Sequence, residues 1–109
     1  MSVNKVILLG YVGSDPEIRY PEKDRPIAHV SLATTDRYAN STTEVTEWHS
    51  LLMGGKNAEF AERYIRKGSR IYVEGKLRTR EYEDRMKIVR RKTDIVVERL
   101  ELLGRKQEP

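Results

Sequence analysis

Residues 55–83, GKNAEFAERYIRKGSRIYVEGKLRTREYE, change hydrophobic period from that of a helix to that of a strand. In the first half the apolar residues recur at helical spacing: Phe60, Ala61, Tyr64 and Ile65. This stripe predicts a core-facing helix of about three turns. Gly68 stands where a left-handed C-terminal cap is expected, so the helix is predicted to end there.

The second half, residues 69–83, alternates and predicts a strand with two different faces. The apolar face carries Ile71, Val73, Gly75 and Leu77. The polar face is basic with a tyrosine near each end: Arg70, Tyr72, Glu74, Lys76, Arg78, Arg80 and Tyr82. The apolar face is predicted to join a core. The basic face has the composition of a surface that follows a phosphate backbone and stacks bases.

Three strands are predicted before the helix and one further strand after residue 83: residues 3–13, 27–38, 44–53 and 93–103. In the second of these, Ala28, Val30 and Leu32 share the predicted core face. The remaining segments are predicted to be connections or turns: residues 14–26 with three prolines, residues 39–43 (ANSTT) and the charged residues 84–92.

Five strands with a helix between the third and the fourth predict an all-β protein, the five-stranded Greek-key barrel of the OB-fold, which binds oligonucleotides on one face. An SH3-like barrel is the alternative. It fits less well, because its strands are usually shorter and it has no such helix at this position. Residues 1–104 are predicted to form the domain and residues 105–109 a short C-terminal remnant.

The chain has 109 residues, a length that fits one domain. It has no cysteine and only two histidines, which excludes disulfides and thiolate metal sites and predicts neither a metal nor a cofactor. Its apolar runs are too short to span a bilayer or to form a signal-peptide core, so we expect a soluble, cytoplasmic protein with no membrane partner.

The net charge of +4 is unevenly distributed along the chain. Residues 63–92 contain twelve Lys and Arg against four acidic residues, which is +8 in one segment and −4 elsewhere. Such a run is commonly a solvated face. Because these cations share a strand with tyrosines, a polyanion such as nucleic acid is the favoured partner.

Trp48, the only tryptophan, lies in TEWHSLLMGGK, residues 46–56. With a period of two it shares a strand face with Thr46 and Ser50, so its ring is predicted to lie on a polar face. Two interpretations are open: a ring packed at a barrel end or a subunit contact, and a platform on which any base can stack. His49 points to the opposite face and is interpreted as an interface or core histidine.

Five segments match a known pattern in order and in spacing: VNKVILLGYVGSDPEIRY, SLATTDRY, TEWHSLLMGGK, AERYIRKGSRIYVEGKLRTREY and ERLELLGR. Through them the chain resembles the bacterial single-stranded DNA-binding protein (SSB) family over nearly its whole length. The resemblance implies single-stranded DNA as the ligand and a role in replication, recombination or repair. It also implies a homotetramer formed as a dimer of dimers, and an association with the nucleoid.

The resemblance assigns roles to individual residues. The base-stacking positions it implies are Trp48, Tyr38 and Tyr82, the last two of which are usually tryptophan in the family. The backbone-contacting positions are Lys5, Lys56, Lys67, Arg78 and Arg80. His49 and Tyr72 resemble positions at subunit interfaces, and Tyr64 is a further candidate for DNA contact.

Two departures from the family pattern affect these expectations. Gly54 occupies the position of a family stacking ring, so one platform is missing, and a basic run could compensate electrostatically: Arg85, Lys87, Arg90, Arg91 and Lys92. The sequence also stops at LGRKQEP without the family's flexible tail and acidic tip. Either the sequence is truncated or the protein is a tailless accessory member, so recruitment of replication and repair enzymes through a tail is not expected.

Three rival functions are open at this point. The first is a primosomal or RNA-directed OB-fold binding protein, which competition between dT and rU oligomers would distinguish. The second is a nuclease, although its carboxylates are scattered along the sequence: Asp15, Glu17, Asp84 and Asp94. Because metal-ion catalysis needs close pairing of such groups, no enzyme activity is predicted. The third is a module that binds an acidic protein through its basic face.

Overall fold

A computed structural model describes residues 1–39 and 42–104 of the chain. It contains six strands and one helix: β1 (Val6–Val12), β2 (Glu17–Glu22), β3 (Arg25–Arg37), β4 (Glu44–Gly54), α1 (Gly55–Tyr64), β5 (Arg70–Glu83) and β6 (Val89–Leu103). Two predicted segments lie outside or partly outside the described residues: the remnant at 105–109, and residues 40 and 41 of the turn ANSTT.

Five of the strands form a closed barrel. Their order is β1-β5-β6-β4-β3, and β3 returns to β1 through the antiparallel pairs Tyr11 with Ala33 and Val12 with Leu32. Strands β4 and β6 run parallel, whereas the other neighbours are antiparallel. The predicted OB-fold barrel is confirmed, with the helix between its third and fourth strands.

The core is built from the inward side of each strand. Ala28, Val30 and Leu32 on β3 are fully buried, as the alternation predicts. The largest other buried side chains come from β4, β5 and the end of the helix: Leu51, Met53, Ile65, Ile71 and Val73. The helix α1 closes one side of this core with Ala58 and Ala61.

The prediction of a connection over residues 14–26 is wrong for its central part. Residues Glu17–Glu22 form β2, an edge strand that pairs with the first half of β3 and lies outside the closed ring. Pro21 does not prevent this, because it lies where the β2–β3 register shifts between Arg19 and Glu22. A proline lacks the N–H needed in a ladder but is tolerated at irregular points of an edge strand.

The helix is shorter than predicted. It ends at Tyr64, and Ile65 takes an extended backbone that points its side chain into the core. Burial of Ile65 therefore ends the helix before residue 68. Gly68 does have a left-handed φ of 90°, but it lies in the following turn, where its N–H donates to the Val12 carbonyl oxygen. The stripe prediction is confirmed for Ala61 and Ile65 and wrong for Tyr64, which is exposed.

The last two strands extend beyond the barrel as a hairpin arm. Strand β6 begins at Val89, which pairs with Glu83, so the predicted loop over residues 84–92 is reduced to a tight turn. Leu77 was predicted to face the core, but its side chain is half exposed because the arm has left the barrel at that point.

Closure of the barrel depends on a close backbone approach at Gly10. A Cβ on this residue would lie 2.1 Å from the Ala33 carbonyl oxygen of β3. We expect Gly10→Ala to destabilise the protein by about 1–3 kcal/mol, the usual cost of overpacking. Urea unfolding followed by circular dichroism measures this. The matched control is Gly54→Ala, because Gly54 has an extended backbone and its Cβ would meet nothing nearer than the Pro26 carbonyl oxygen at 4.0 Å. Equal stability of the two variants would contradict the role of Gly10.

Candidate nucleic-acid interface

The outward side of four barrel strands forms one continuous surface, here called the sheet face. Cross-strand pairing aligns its outward residues: Leu52 on β4 lies opposite Val96 on β6, and the β6 residues Asp94, Lys92 and Arg90 lie opposite Arg78, Arg80 and Tyr82 on β5. On the other side of β4, Trp48 pairs with Ala33 and Ser50 with Ser31 on β3. The sheet face therefore holds the tryptophan and the arginine-rich part of β5.

Trp48 presents a large part of its ring to solvent. The residue is 63% exposed, although it lies within a strand. One edge of the indole is supported by the backbone of Gly13, where an added Cβ would come within 2.4 Å of Trp48 Cζ3. Support along one edge holds the ring in place and leaves π-surface free, which is the arrangement that a stacking platform needs.

Tyr82 and the arginines Arg78 and Arg80 lie on the β5–β6 arm, outward and exposed. The Arg80 guanidinium carbon is 5.7 Å from the centre of the Tyr82 ring, within range of a cation–π contact. Arg80 Nε also lies 3.9 Å from Asp94 Oδ2. The arm thus combines cations with an exposed aromatic ring along one edge of the sheet face.

Tyr38 lies on the second arm of the molecule, immediately after β3. Its side chain is exposed, and the β3–β4 hairpin that carries it is tied by an ion pair of 2.6 Å between Arg37 and Glu44. Predicted stacking rings are thus found on both hairpins and, with Trp48, on the barrel wall between them.

Three of the predicted DNA contacts lie around the helix rather than on the sheet face. Lys56 is exposed in the first turn of α1, two residues after the outward Gly54. Tyr64 ends α1 with its ring packed at 4.8 Å against that of Phe60. Lys67 follows in the next turn, and its backbone N–H donates to Asp15 Oδ1.

Lys5 and Tyr72 converge on one carboxylate. Lys5 Nζ lies 3.2 Å from Glu74 Oε1, and the Tyr72 hydroxyl donates to Glu74 Oε2. The hydrogen bond from Tyr72 is the main cause that lowers the pKa of Glu74, and the bond from Lys5 adds to it. The same contact raises the pKa of Tyr72. Lys5 is thus ion-paired, so less of its charge is available to a phosphate than the sequence indicates.

An apolar surface adjoins Tyr72. Ile7, Leu9 and Tyr11 all point outward from β1 and are exposed, and Leu9 pairs with Tyr72 across the β1–β5 ladder. This surface is called the β1 face below. His49, the other predicted interface residue, is half-buried, and its Nε2 lies 2.9 Å from Thr34 Oγ1.

The tip of the β5–β6 arm is organised by Asp84. Its Oδ1 accepts hydrogen bonds from the backbone N–H groups of Met86 and Ile88, and its Oδ2 accepts one from Arg90 Nε at 2.7 Å. The bond from Arg90 is the largest cause that lowers the pKa of Asp84. Arg91 is paired as well, with Glu81 at 3.3 Å. Two cations of the basic run expected to compensate for Gly54 are therefore already ion-paired.

The sheet face carries a chain of hydrogen-bonded polar side chains that the sequence did not predict. His29 Nε2 lies 2.7 Å from Ser50 Oγ, which donates to Asp94 Oδ1, also at 2.7 Å. These residues come from β3, β4 and β6, and the two bonds span 21 and 44 positions in the sequence. Residues so far apart in the sequence form no short motif that would reveal the contact. The sequence indicated only that His29 and Asp94 each lie on a predicted strand.

Gly54 leaves space on the sheet face. Beside it lies an apolar depression of about 220 Å³, lined in part by Ile27, Leu52 and Val96. The backbone of Gly54 is extended, with φ −130° and ψ 171°, a conformation that any residue adopts. Glycine is therefore not required there by the backbone.

The described residues 1–39 and 42–104 contain no group of three or more His, Cys, Asp and Glu placed to hold a metal ion. None of the helices in this part of the chain is both long enough and apolar enough to cross a membrane.

Comparison with known proteins gives three findings. The family model described as the single-strand binding protein family matches residues 3–103. A curated relative from Bacteroides thetaiotaomicron, named single-stranded DNA-binding protein, is 45% identical over 111 residues, covering 97% of this chain and 69% of the relative. A solved structure, the Plasmodium falciparum SSB complex with ssDNA, superposes with a TM-score of 0.85 and 32% identity, covering 95% of this chain and 97% of that chain.

Proposed function

The chain belongs to the single-strand binding protein family, and from this membership we propose that it coats and protects single-stranded DNA during replication, recombination or repair, largely without regard to sequence. The observation that carries the proposal is the exposed ring of Trp48, held by Gly13 on a sheet face that continues into the arginines of β5. Such a surface can stack any base, because every base has a π-face, and it needs no hydrogen bonds that read sequence.

The proposed mechanism is passive binding. Phosphates displace counterions from the exposed cations of the sheet face, while bases leave their own stack and stack on Trp48, Tyr38 and Tyr82. No bond is made or broken. We therefore propose a binding protein and not an enzyme, in agreement with the binding activity named for the family and the bacterial relative.

We further propose that the protein assembles as a homotetramer in the bacterial cytoplasm, on DNA of the nucleoid. The support is the β1 face, where Ile7, Leu9 and Tyr11 leave apolar surface in water beside Tyr72. Contiguous exposed apolar side chains of this kind mark protein contacts. Several copies would multiply the sheet face available to one strand, so assembly should strengthen binding to long strands more than to short ones.

Titration of Trp48 fluorescence with oligo(dT) tests the stacking role. We expect strong quenching by oligo(dT) and little effect of duplex DNA. For each phosphate neutralised, the logarithm of the binding constant should fall by about 0.7 per tenfold increase in salt concentration. Trp48→Ala is expected to cost about 1–3 kcal/mol of binding, measured by fluorescence anisotropy of a labelled oligonucleotide.

The matched control is Trp48→Tyr, which keeps a smaller π-face and should lose less affinity. Binding by the wild-type protein without quenching would remove Trp48 from the site. A failure of every single-stranded oligonucleotide to bind at low salt would contradict the proposed function itself, and stronger binding of oligo(rU) than of oligo(dT) would favour an RNA ligand.

A stacking ring can be restored at residue 54. We expect Gly54→Phe to tighten oligo(dT) binding by up to about 1–3 kcal/mol, since the extended backbone accepts a side chain and the ring would stand on the sheet face near Arg78. Anisotropy titration measures the gain in affinity. The control Gly54→Ala adds only a Cβ, so any further gain in the phenylalanine variant is due to the ring. Unchanged or weaker binding by the phenylalanine variant would place the DNA path away from Gly54.

The assembly can be tested at the centre of the β1 face. Leu9→Glu places a charge on the exposed apolar surface and is expected to lower the oligomeric state measured by sedimentation equilibrium, because a buried unpaired charge disfavours the contact. The control is Arg85→Glu, in the exposed turn at the tip of the β5–β6 arm and away from β1. If both variants sediment like the wild type, the β1 face is not the subunit contact.

A further inference from the structure

A cavity of about 250 Å³ opens on the sheet face between β2 and the β5–β6 arm. Its apolar wall is formed by Ile27 and Leu52. Pockets that enclose drug-sized ligands are usually about 300–1,000 Å³, so this cavity suits a group no larger than a single base ring.

Hydrogen-bonding groups at the bottom of the cavity have fixed roles. Asp94 is 3% exposed and lines the cavity, and its Oδ1 accepts the only hydrogen of the Ser50 hydroxyl. Ser50 Oγ can then take part in the contact with His29 only as an acceptor, so His29 Nε2 carries the hydrogen. This chain of bonds holds the Asp94 carboxylate in one orientation and leaves Oδ2 as an acceptor.

The rim of the cavity is mainly cationic. Arg19, Arg80 and Lys92 stand around it, with Glu17 as the one carboxylate beside them on β2. Arg80 lies closest to the buried acid, with Nε 3.9 Å from Asp94 Oδ2. This arrangement suits a nucleotide whose base enters the cavity while its phosphates stay outside. The rim cations would contact the phosphates, the apolar wall would contact the base ring, and the carboxylate at the bottom would accept a hydrogen bond from the base.

We propose that this cavity is a base subsite that prefers cytosine to thymine, and that it gives an otherwise sequence-tolerant surface one position of base preference. The inference rests on the proposed function, since it concerns the same DNA-binding face. Cytosine carries an N4 amino group that donates to carboxylates, whereas thymine presents its O4 acceptor at the same place. Thymine O4 facing the Asp94 carboxylate would place two acceptors together with no hydrogen between them. Burying acceptors without a hydrogen-bond donor costs binding free energy.

The test uses the wild-type protein and a short dT oligomer in which a single dC is moved through every position, with binding followed by Trp48 quenching. We expect one position, or two adjacent ones, at which dC tightens binding about two- to tenfold, the range of one net hydrogen bond. At that position dC is then replaced by the deoxynucleotide of 2-pyrimidinone, which lacks the 4-amino group. The gain should disappear, whereas the same replacement elsewhere should have no such effect.

Asp94→Asn provides the matching change in the protein. If Ser50 continues to donate to Oδ1, the substitution puts an amide NH₂ at the Oδ2 position, which donates to thymine O4, so the preference should reverse. Arg78→Ala is the control, because Arg78 does not line this cavity and its loss should weaken dC and dT oligomers equally. Thermal unfolding establishes that each variant is folded. If Asp94→Asn is not folded, the 2-pyrimidinone result decides alone.

The outcomes separate this inference from the proposed function. Quenching by all oligomers with equal affinities for dC and dT at every position would overturn the base subsite and leave strand coating intact. A cytosine preference that survives loss of the 4-amino group would also overturn it. Absence of binding to any oligomer at low salt would instead overturn the proposed function, and the subsite with it.

Discussion

Closure of the barrel between β1 and β3 is the constraint on which the other features depend. The contact consists of two paired positions, Tyr11 with Ala33 and Val12 with Leu32, and Gly10 brings the β1 backbone close enough to β3 to make it. A closed ring divides the residues of its strands into an inward and an outward set. The inward set becomes the core, and the outward set is free to carry charged, aromatic and exposed apolar side chains.

The outward set is divided into two surfaces of different chemistry, and β5 contributes to both. Near β1 this strand offers Tyr72 and Glu74, beside exposed apolar side chains. Beyond the irregularity between Glu74 and Gly75 it continues into the cationic arm. A Cβ on Gly75 would lie 2.1 Å from the Val96 carbonyl oxygen, so the strands approach closely where the ladder shifts. The extra residue, Glu98, lies on β6, and such a bulge increases the local twist of the strand pair, which explains why Leu77 on β5 leaves the core.

Much of the fold could be predicted because alternation is a local property. The buried set on β3 and the exposed ring of Trp48 both follow from a period of two. The errors occur where a distant contact overrides the local pattern. Strand β2 exists because β3 offers an edge for pairing, and α1 stops at Tyr64 because Ile65 is drawn into the core. The hairpin arm is longer than expected because the Asp84 carboxylate holds the turn together.

The sequence by itself favoured an OB-type barrel and predicted the basic strand with its tyrosines, because these depend on residue type and short-range spacing. Its resemblance to the family assigned the candidate stacking residues. Only the tertiary structure decided which cations are free and which are paired, as for Lys5 with Glu74. It alone also brought His29, Ser50 and Asp94 into one hydrogen-bonded chain. Hydrogen bonds and ion pairs act over about 3–4 Å, and residues far apart in the chain reach that distance only when strands pair in a definite register.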